Sequence, residues 1–210
     1  MSGILAIWND CNASRAAAYE SWYQEEHLPE RLGIAGFLTG RRFEAICASR
    51  QFLTTYEVVH PEVLRSAAYR ERLAHPTART ISMMQDGFTN MSRTVCERRD
   101  LRGASRGSVV LTVALNAADA YPRLRDAVGM LEVDAAHTHS EMWISAEPDT
   151  KEISAEEALR GGDVKINACL VLEYLRPEVA NRVANTLRRQ FPDAYVGTYR
   201  LLCSLNQEDL

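Results

Sequence analysis

The chain has 210 residues, 46% hydrophobic and 25% charged, which suits one extended core or two small domains and excludes a disordered chain. Its 24 basic and 28 acidic residues are interspersed and leave a formal charge of −4, so no basic stripe tracks a nucleic-acid backbone and nucleic acid is not an expected partner. Five widely spaced cysteines without a C-x-x-C pair suit reduced thiols in a cytoplasm better than a disulfide framework or a zinc site, and no metal is expected.

The first apolar run, Ile4 to Trp8, has no basic leader and is too short for a signal peptide or a membrane span. It reads as a strand ending at Asn9. Asn12 or Ser14 can cap the helix that follows, on which Tyr19, Trp22 and Tyr23 share a face. Four residues on from Trp22 and Tyr23 stand Glu26 and His27, a polar pair where a core-facing helix carries Leu or Val. Pro29 has no amide hydrogen and crowds the carbonyl of Glu25, so the helix is expected to end or kink there. After Gly33 and Gly36, Phe37 to Cys47 reads as a strand, with Phe37, Thr39, Arg41, Phe43 and Ala45 on one face and Arg42 and Glu44 on the other. Phe52 to Val59 reads as a third strand, antiparallel to the second. Pro61 opens a second helix, Pro76 a further short one, and a fourth strand runs from Gly87 to about Cys96.

The charged, glycine-bearing block from Glu97 to Gly107 has no apolar period and reads as a connection. The pattern then starts again: strand Val109 to Leu115, a helix with Leu124, Val128 and Leu131, strand Val133 to Ile144, a short helical piece at Ser154 to Leu159, strand Ile166 to Leu175, a helix opened by Pro177, and strand Tyr195 to Leu205. Glu57-Val58-Val59-His60-Pro61 matches Glu173-Tyr174-Leu175-Arg176-Pro177, 116 residues on, whereas Cys96 matches Cys203, 107 residues on. The second half therefore holds extra residues ahead of its third strand. The expected division is a βαββαβ unit at 1–98, a linker at 99–107 and a diverged βαββαβ unit at 108–210.

Two helices cover only one face of a four-stranded unit, yet Ile4, Ala6 and Trp8 on one face of strand one are as apolar as Leu5 and Ile7 on the other. The uncovered face needs a partner. Two tandem units supply it to each other, which predicts an α+β fold of two ferredoxin-like units packed sheet to sheet as an intramolecular barrel, with room for a cavity.

W-Y-x-x-E-H-L-P-E-R-L-x-I-x-G-F, from Trp22 to Phe37, resembles the first-helix signature of the dimeric α+β barrel superfamily, in its EthD-like branch. Tyr56-Glu57 and Ser66-Ala67-Ala68-Tyr69 resemble that branch as well, so the likeness covers about residues 3 to 97. It implies a small-molecule pocket between helices and sheet, with activities in the superfamily that include cofactor-free oxygenases, lactone isomerases, cyclases and haem-binding enzymes. The second half has no E-H-L-P-E-R; its equivalent turn is Gly129-Met130-Leu131-Glu132, so one chain is expected to carry one site.

His27 is the candidate acid/base, with Glu26 to orient its ring and Arg31, one turn on, to take a substrate carboxylate. A histidine that merely closes a helix end, and a Glu26–Arg31 surface pair, are the competing readings. Trp22, Tyr23, Asn9, Tyr56, Arg42 and Phe37 are candidate ligand-binding residues, each with an ordinary role in core, turn or ion pair as the alternative. His137 and His139 stand at i, i+2 on a strand without an evident third metal ligand. The expected function is a small-molecule-binding protein working as a cofactor-independent acid/base enzyme of isomerase, cyclase or oxygenase type on a small aromatic or carboxylate compound. The alternatives are a non-catalytic binding or sensing protein and a haem protein with His27 as ligand. The tandem chain is a candidate to form a homodimer.

Overall fold

The computed structural model describes residues 1–128, 134–147, 155–160 and 162–210. The turn 129–132, the start of the strand expected from Val133 and the start of the helical piece expected from Ser154 lie outside the described residues. In chain order come β1 (Gly3–Cys11), α1 (Ala16–Trp22), α2 (Leu28–Leu32), β2 (Phe37–Cys47), β3 (Phe52–Val58), α3 (Ala67–Ala74), α4 (Ala78–Ser82) and β4 (Phe88–Arg102). They are followed by β5 (Val109–Leu115), α5 (Ala120–Val128), β6 (His137–Ser145), α6 (Ala155–Arg160), β7 (Ala168–Tyr174), α7 (Pro177–Gln190) and β8 (Tyr195–Asn206). The eight strands close into one barrel in the order β1-β3-β2-β8-β5-β7-β6-β4. Each half contributes four neighbouring strands in the same order, and the β2–β8 and β4–β6 pairings join the halves edge to edge. Closure removes every free strand edge.

Period-two alternation decides which side chains meet the helices and which fill the barrel. On β1, Leu5 and Ile7 face the helices of the first half while Ile4, Ala6 and Trp8 face the lumen. On β5, Val109, Leu111 and Val113 meet α5 and α7, whereas Val110 and Ala114 face the lumen. Three cores result: one under α1 to α4, one under α5 and α7, and the lumen between them.

Two ladder irregularities correct the strand reading. The register of β2 against β3 shifts between Phe37 and Thr39, so Phe37 packs under the helices while Phe43 faces the lumen. A one-residue shift moves every later side chain to the opposite face. The same happens on β6 between His137 and His139: His137 packs by Tyr174, and His139 is buried beside Glu141. The two histidines therefore do not share a face, and no cluster of three or more metal-ligating side chains occurs among the described residues. The charged block after Cys96 is also not all connection, because β4 continues to Arg102. All five cysteines are free thiols, and no described helix is long and apolar enough to cross a membrane.

A candidate site under the first-half helices and a cavity in the barrel

Asn12 opens the first helical stretch, its Oδ1 accepting from the Ser14 amide at 3.1 Å. Pro29 does not end that stretch. The chain stays helical through Leu32, and residues Tyr23–His27 widen into a π-turn in which the Leu28 amide reaches back five residues to the Tyr23 carbonyl. The wider turn takes up a proline that has no amide of its own to donate.

The π-turn also re-aims the polar pair. In an α-helix Glu26 would lie below Trp22; with five residues to the turn, His27 does. Its ring stacks on Trp22 with centroids 4.2 Å apart and planes 28° apart, and meets Tyr23 edge-on at 5.2 Å. Glu26 is rotated outward, accepting hydrogen bonds from the Thr77 and Thr80 hydroxyls beside Arg79. Its predicted role of orienting the imidazole is replaced by that of tying the π-turn to α4. A second π-turn, Met83–Gly87, forms the opposite wall through Met84. Such turns are frequent at functional sites.

Between these turns and the outer face of the sheet lies a small space of about 20 Å³, bordered by Tyr23, His27, Arg31, Tyr56, Tyr69 and Arg93 among others. It has room for about one water molecule. Arg31 is 2% exposed; its Nη2 is paired with Glu156, while Nη1 has no hydrogen-bond partner among the described residues. The Tyr56 hydroxyl, fully buried, likewise lacks one. Burial, reinforced by the neighbouring Tyr23, lifts the Tyr56 pKa well above the ordinary tyrosine value despite Arg31, so the phenol stays protonated and can only donate or accept as O–H. Arg93 Nη2 donates to Tyr69 Oη at 2.9 Å, so two guanidiniums and one carboxylate, Glu156, border the space.

The other predicted residues stand around this site. Trp22 backs His27 and donates from Nε1 to Thr80 Oγ1 at 3.2 Å. Arg42, predicted as a ligand contact, is instead paired with Glu20 at 2.8 Å, its guanidinium 4.0 Å from the Tyr23 ring centre. Asn9, also predicted as a contact, is held by Tyr19 and the Asp10 carbonyl. Phe37 packs edge-on against Tyr56 at 5.8 Å. None of Asn9, Trp22, Glu26, Phe37 and Arg42 borders the space. Gly40 sits under it for want of room: a Cβ there would stand 2.8 Å from Leu28 Cδ2 and 3.2 Å from the Tyr56 ring.

Tyr69, noted in the sequence only as part of the Ser66-Ala67-Ala68-Tyr69 resemblance, joins the site, as do Arg93 and Glu156, which do not stand out in the sequence. Glu156 comes from α6, which packs against α3, β4 and the Met83–Gly87 turn of the other half. The one signal for it is the difference between the two repeat offsets, which places extra residues ahead of β7.

The larger cavity, about 350 Å³, lies inside the barrel. Ile4, Phe43, Leu53, Trp143 and Val171 supply its apolar wall. At one end Arg41 and Arg106 line it with Glu57, Glu141 and Glu173, and Arg98, outside the lining, pairs with two of the glutamates: Arg41–Glu173 at 2.7 Å, Arg106–Glu173 at 3.0 Å, Arg98–Glu141 at 2.6 Å, and Arg98 with Glu57. Burial alone would raise the Glu141 pKa, but His139, the guanidiniums of Arg98 and Arg106 and the Trp143 indole outweigh it and bring the carboxyl down to about 2.

No family model and no curated protein matches the chain. Solved structures do. An anthrone oxidase-like protein aligns over 98% of this chain and 93% of its own, with a TM-score of 0.63 at 11% identity. A candidate monooxygenase of Fusobacterium nucleatum aligns over 97% and 94%, with a TM-score of 0.55 at 11% identity. A haem-binding protein of Thermus thermophilus aligns over 99% and 92%, with a TM-score of 0.52 at 10% identity. At such identities the likeness is one of fold. The fold is that of the dimeric α+β barrels, formed here within one chain.

Proposed function

We propose that this chain is an EthD-like acid/base enzyme that binds a small, ring-bearing compound between the first-half helices and the sheet, where the side chains bordering the space of about 20 Å³ part to admit it. In this reading His27 takes a proton from the substrate, and the Tyr56 hydroxyl and Arg31 Nη1 donate to the oxygen on which negative charge grows. The observation that carries it is the pair of buried donors, Tyr56 Oη and Arg31 Nη1, that border one aromatic space and lack partners among the described residues. An unmade buried hydrogen bond costs ~1–3 kcal/mol, and two at one spot point to a ligand that completes them. The excess of guanidinium over carboxylate favours an enolate or phenolate in the same place. Proton removal of this kind opens isomerisations, cyclisations and oxygenations alike, and the names of the fold neighbours are compatible with the last of these.

The residues here favour a small compound over a haem: the space beside His27 holds about 20 Å³ and would have to widen far more for a macrocycle than for one or two rings. Glu26 acts in this proposal as a positioning residue through Thr77 and Thr80.

Hydrogen–deuterium exchange at the acidic carbon of a panel of enolisable bicyclic aryl ketones, followed by NMR in D2O, tests the assignment. We expect catalysed exchange that falls by ~10²- to 10⁴-fold in His27→Ala. Exchange that His27→Ala leaves intact, or a ligand that raises the melting temperature without any turnover, would overturn it in favour of a site elsewhere or a binding protein.

A further inference from the structure

We infer that the barrel lumen is a second small-molecule site, separate from the one under the helices, and that it takes an uncharged compound with an apolar ring body and a hydroxyl or carbonyl end. The sheet itself separates the two sites. Tyr56 points from β3 to the helices, while Leu53 and Thr55 on the same strand line the lumen. A molecule in one space therefore touches none of the groups in the other.

Size and wall chemistry both suit a ligand. The lumen cavity, at about 350 Å³, falls in the range of small-molecule sites, and strands form its wall except at Arg106 to Ser108 of the β4–β5 connection, so most of its shape is set before anything binds. Trp143 is held in place on both sides: its ring packs against Trp8 at 6.1 Å, and its Nε1 donates to Glu141 at 2.9 Å. It presents a fixed aromatic surface to whatever enters.

Charge selects the class of occupant. The three arginines and three glutamates at this end cancel and are paired with one another. A carboxylate entering the lumen would have to draw a guanidinium from a buried glutamate, and an ammonium would have to draw away a glutamate. A neutral molecule disturbs no pair. Of the uncharged polar groups on offer, Thr55 is buried, while Ser108, Ser204, Thr39 and Asn206 lie where the cavity meets solvent, with both serines exposed. They suit a hydroxyl or carbonyl at the mouth, with the ring inside.

Binding of 2-naphthol, with 2-naphthoate and 2-naphthylmethylamine as its charged counterparts, tests this by calorimetry and by NMR of the indole protons. We expect 2-naphthol to bind with a Kd below about 1 mM and to give nuclear Overhauser contacts to Trp143, and both charged analogues to bind at least tenfold more weakly. Thr55→Phe and Leu201→Trp, which fill the lumen from two different strands, should each remove those contacts while melting as cooperatively as wild type. His27→Ala should leave them in place. Absence of 2-naphthol contacts to Trp143 would overturn the site, and equal binding of 2-naphthoate would overturn its charge preference. Neither result bears on proton transfer at His27.

Discussion

The two helix-covered faces of the barrel are built on the same strand order but filled differently. Under α5 and α7 the core is aliphatic or aromatic and carries no buried charge among the described residues, with Leu111, Val113, Leu124, Ala180, Ala184 and Leu187 closing the space and Thr198 bonded to Asn181 of α7. Under α1 to α4 the same position in the fold holds His27, Arg31, Tyr56 and Arg93 among aromatic rings, with two π-turns at its border. The fold does not need those polar groups, since its other half closes without them. In the function proposed above, their presence on one side is where stability is exchanged for chemistry.

Three measurements would break or sharpen that contrast. The largest effect is expected at the Arg31–Glu156 pair. Glu156→Gln leaves a buried guanidinium without its carboxylate and should cost about 3–5 kcal/mol in urea denaturation, whereas the double change Arg31→Met with Glu156→Leu should recover most of it. A double variant no more stable than the single one would mean that the pair is structural rather than an arrangement kept for a ligand. In the second half, Leu187→Ala, at a fully buried position, should cost ~2–5 kcal/mol by leaving a cavity, without altering any exchange activity. Lost activity there would show that the two faces work together. The smallest effect is expected for Tyr56→Phe. Removing an unpartnered hydroxyl should leave stability unchanged or raise it by ~1 kcal/mol while slowing the catalysed exchange. A clear loss of stability would show that the hydroxyl is already satisfied.

Much of this arrangement is legible in the residues, and the departures have specific causes. The apolar character of both faces of β1 calls for a partner on the face the helices leave open, and Glu26-His27 on an otherwise aromatic helix face marks a polar patch. Glu26 stands apart from His27 because the α-helical repeat of 3.6 residues per turn gives way to a wider π-turn ahead of Pro29. Phe37 and Arg41 would share a face on a strictly alternating strand, and the bulge after Phe37 breaks that alternation. His137 and His139 are separated in the same way.

The sequence by itself determined the number and order of strands, the need to close the sheet and the polar interruption of the first helix, because these follow from local periodicity and from which side chains must leave water. Only the tertiary structure decided which groups meet. Arg31 and Glu156 are 125 residues apart in the chain, and Arg31 and Tyr56 are brought to the same space from helix and strand. Such contacts depend on single-residue shifts in helix and ladder geometry. Those shifts are set by how the whole barrel packs rather than by any short stretch of sequence.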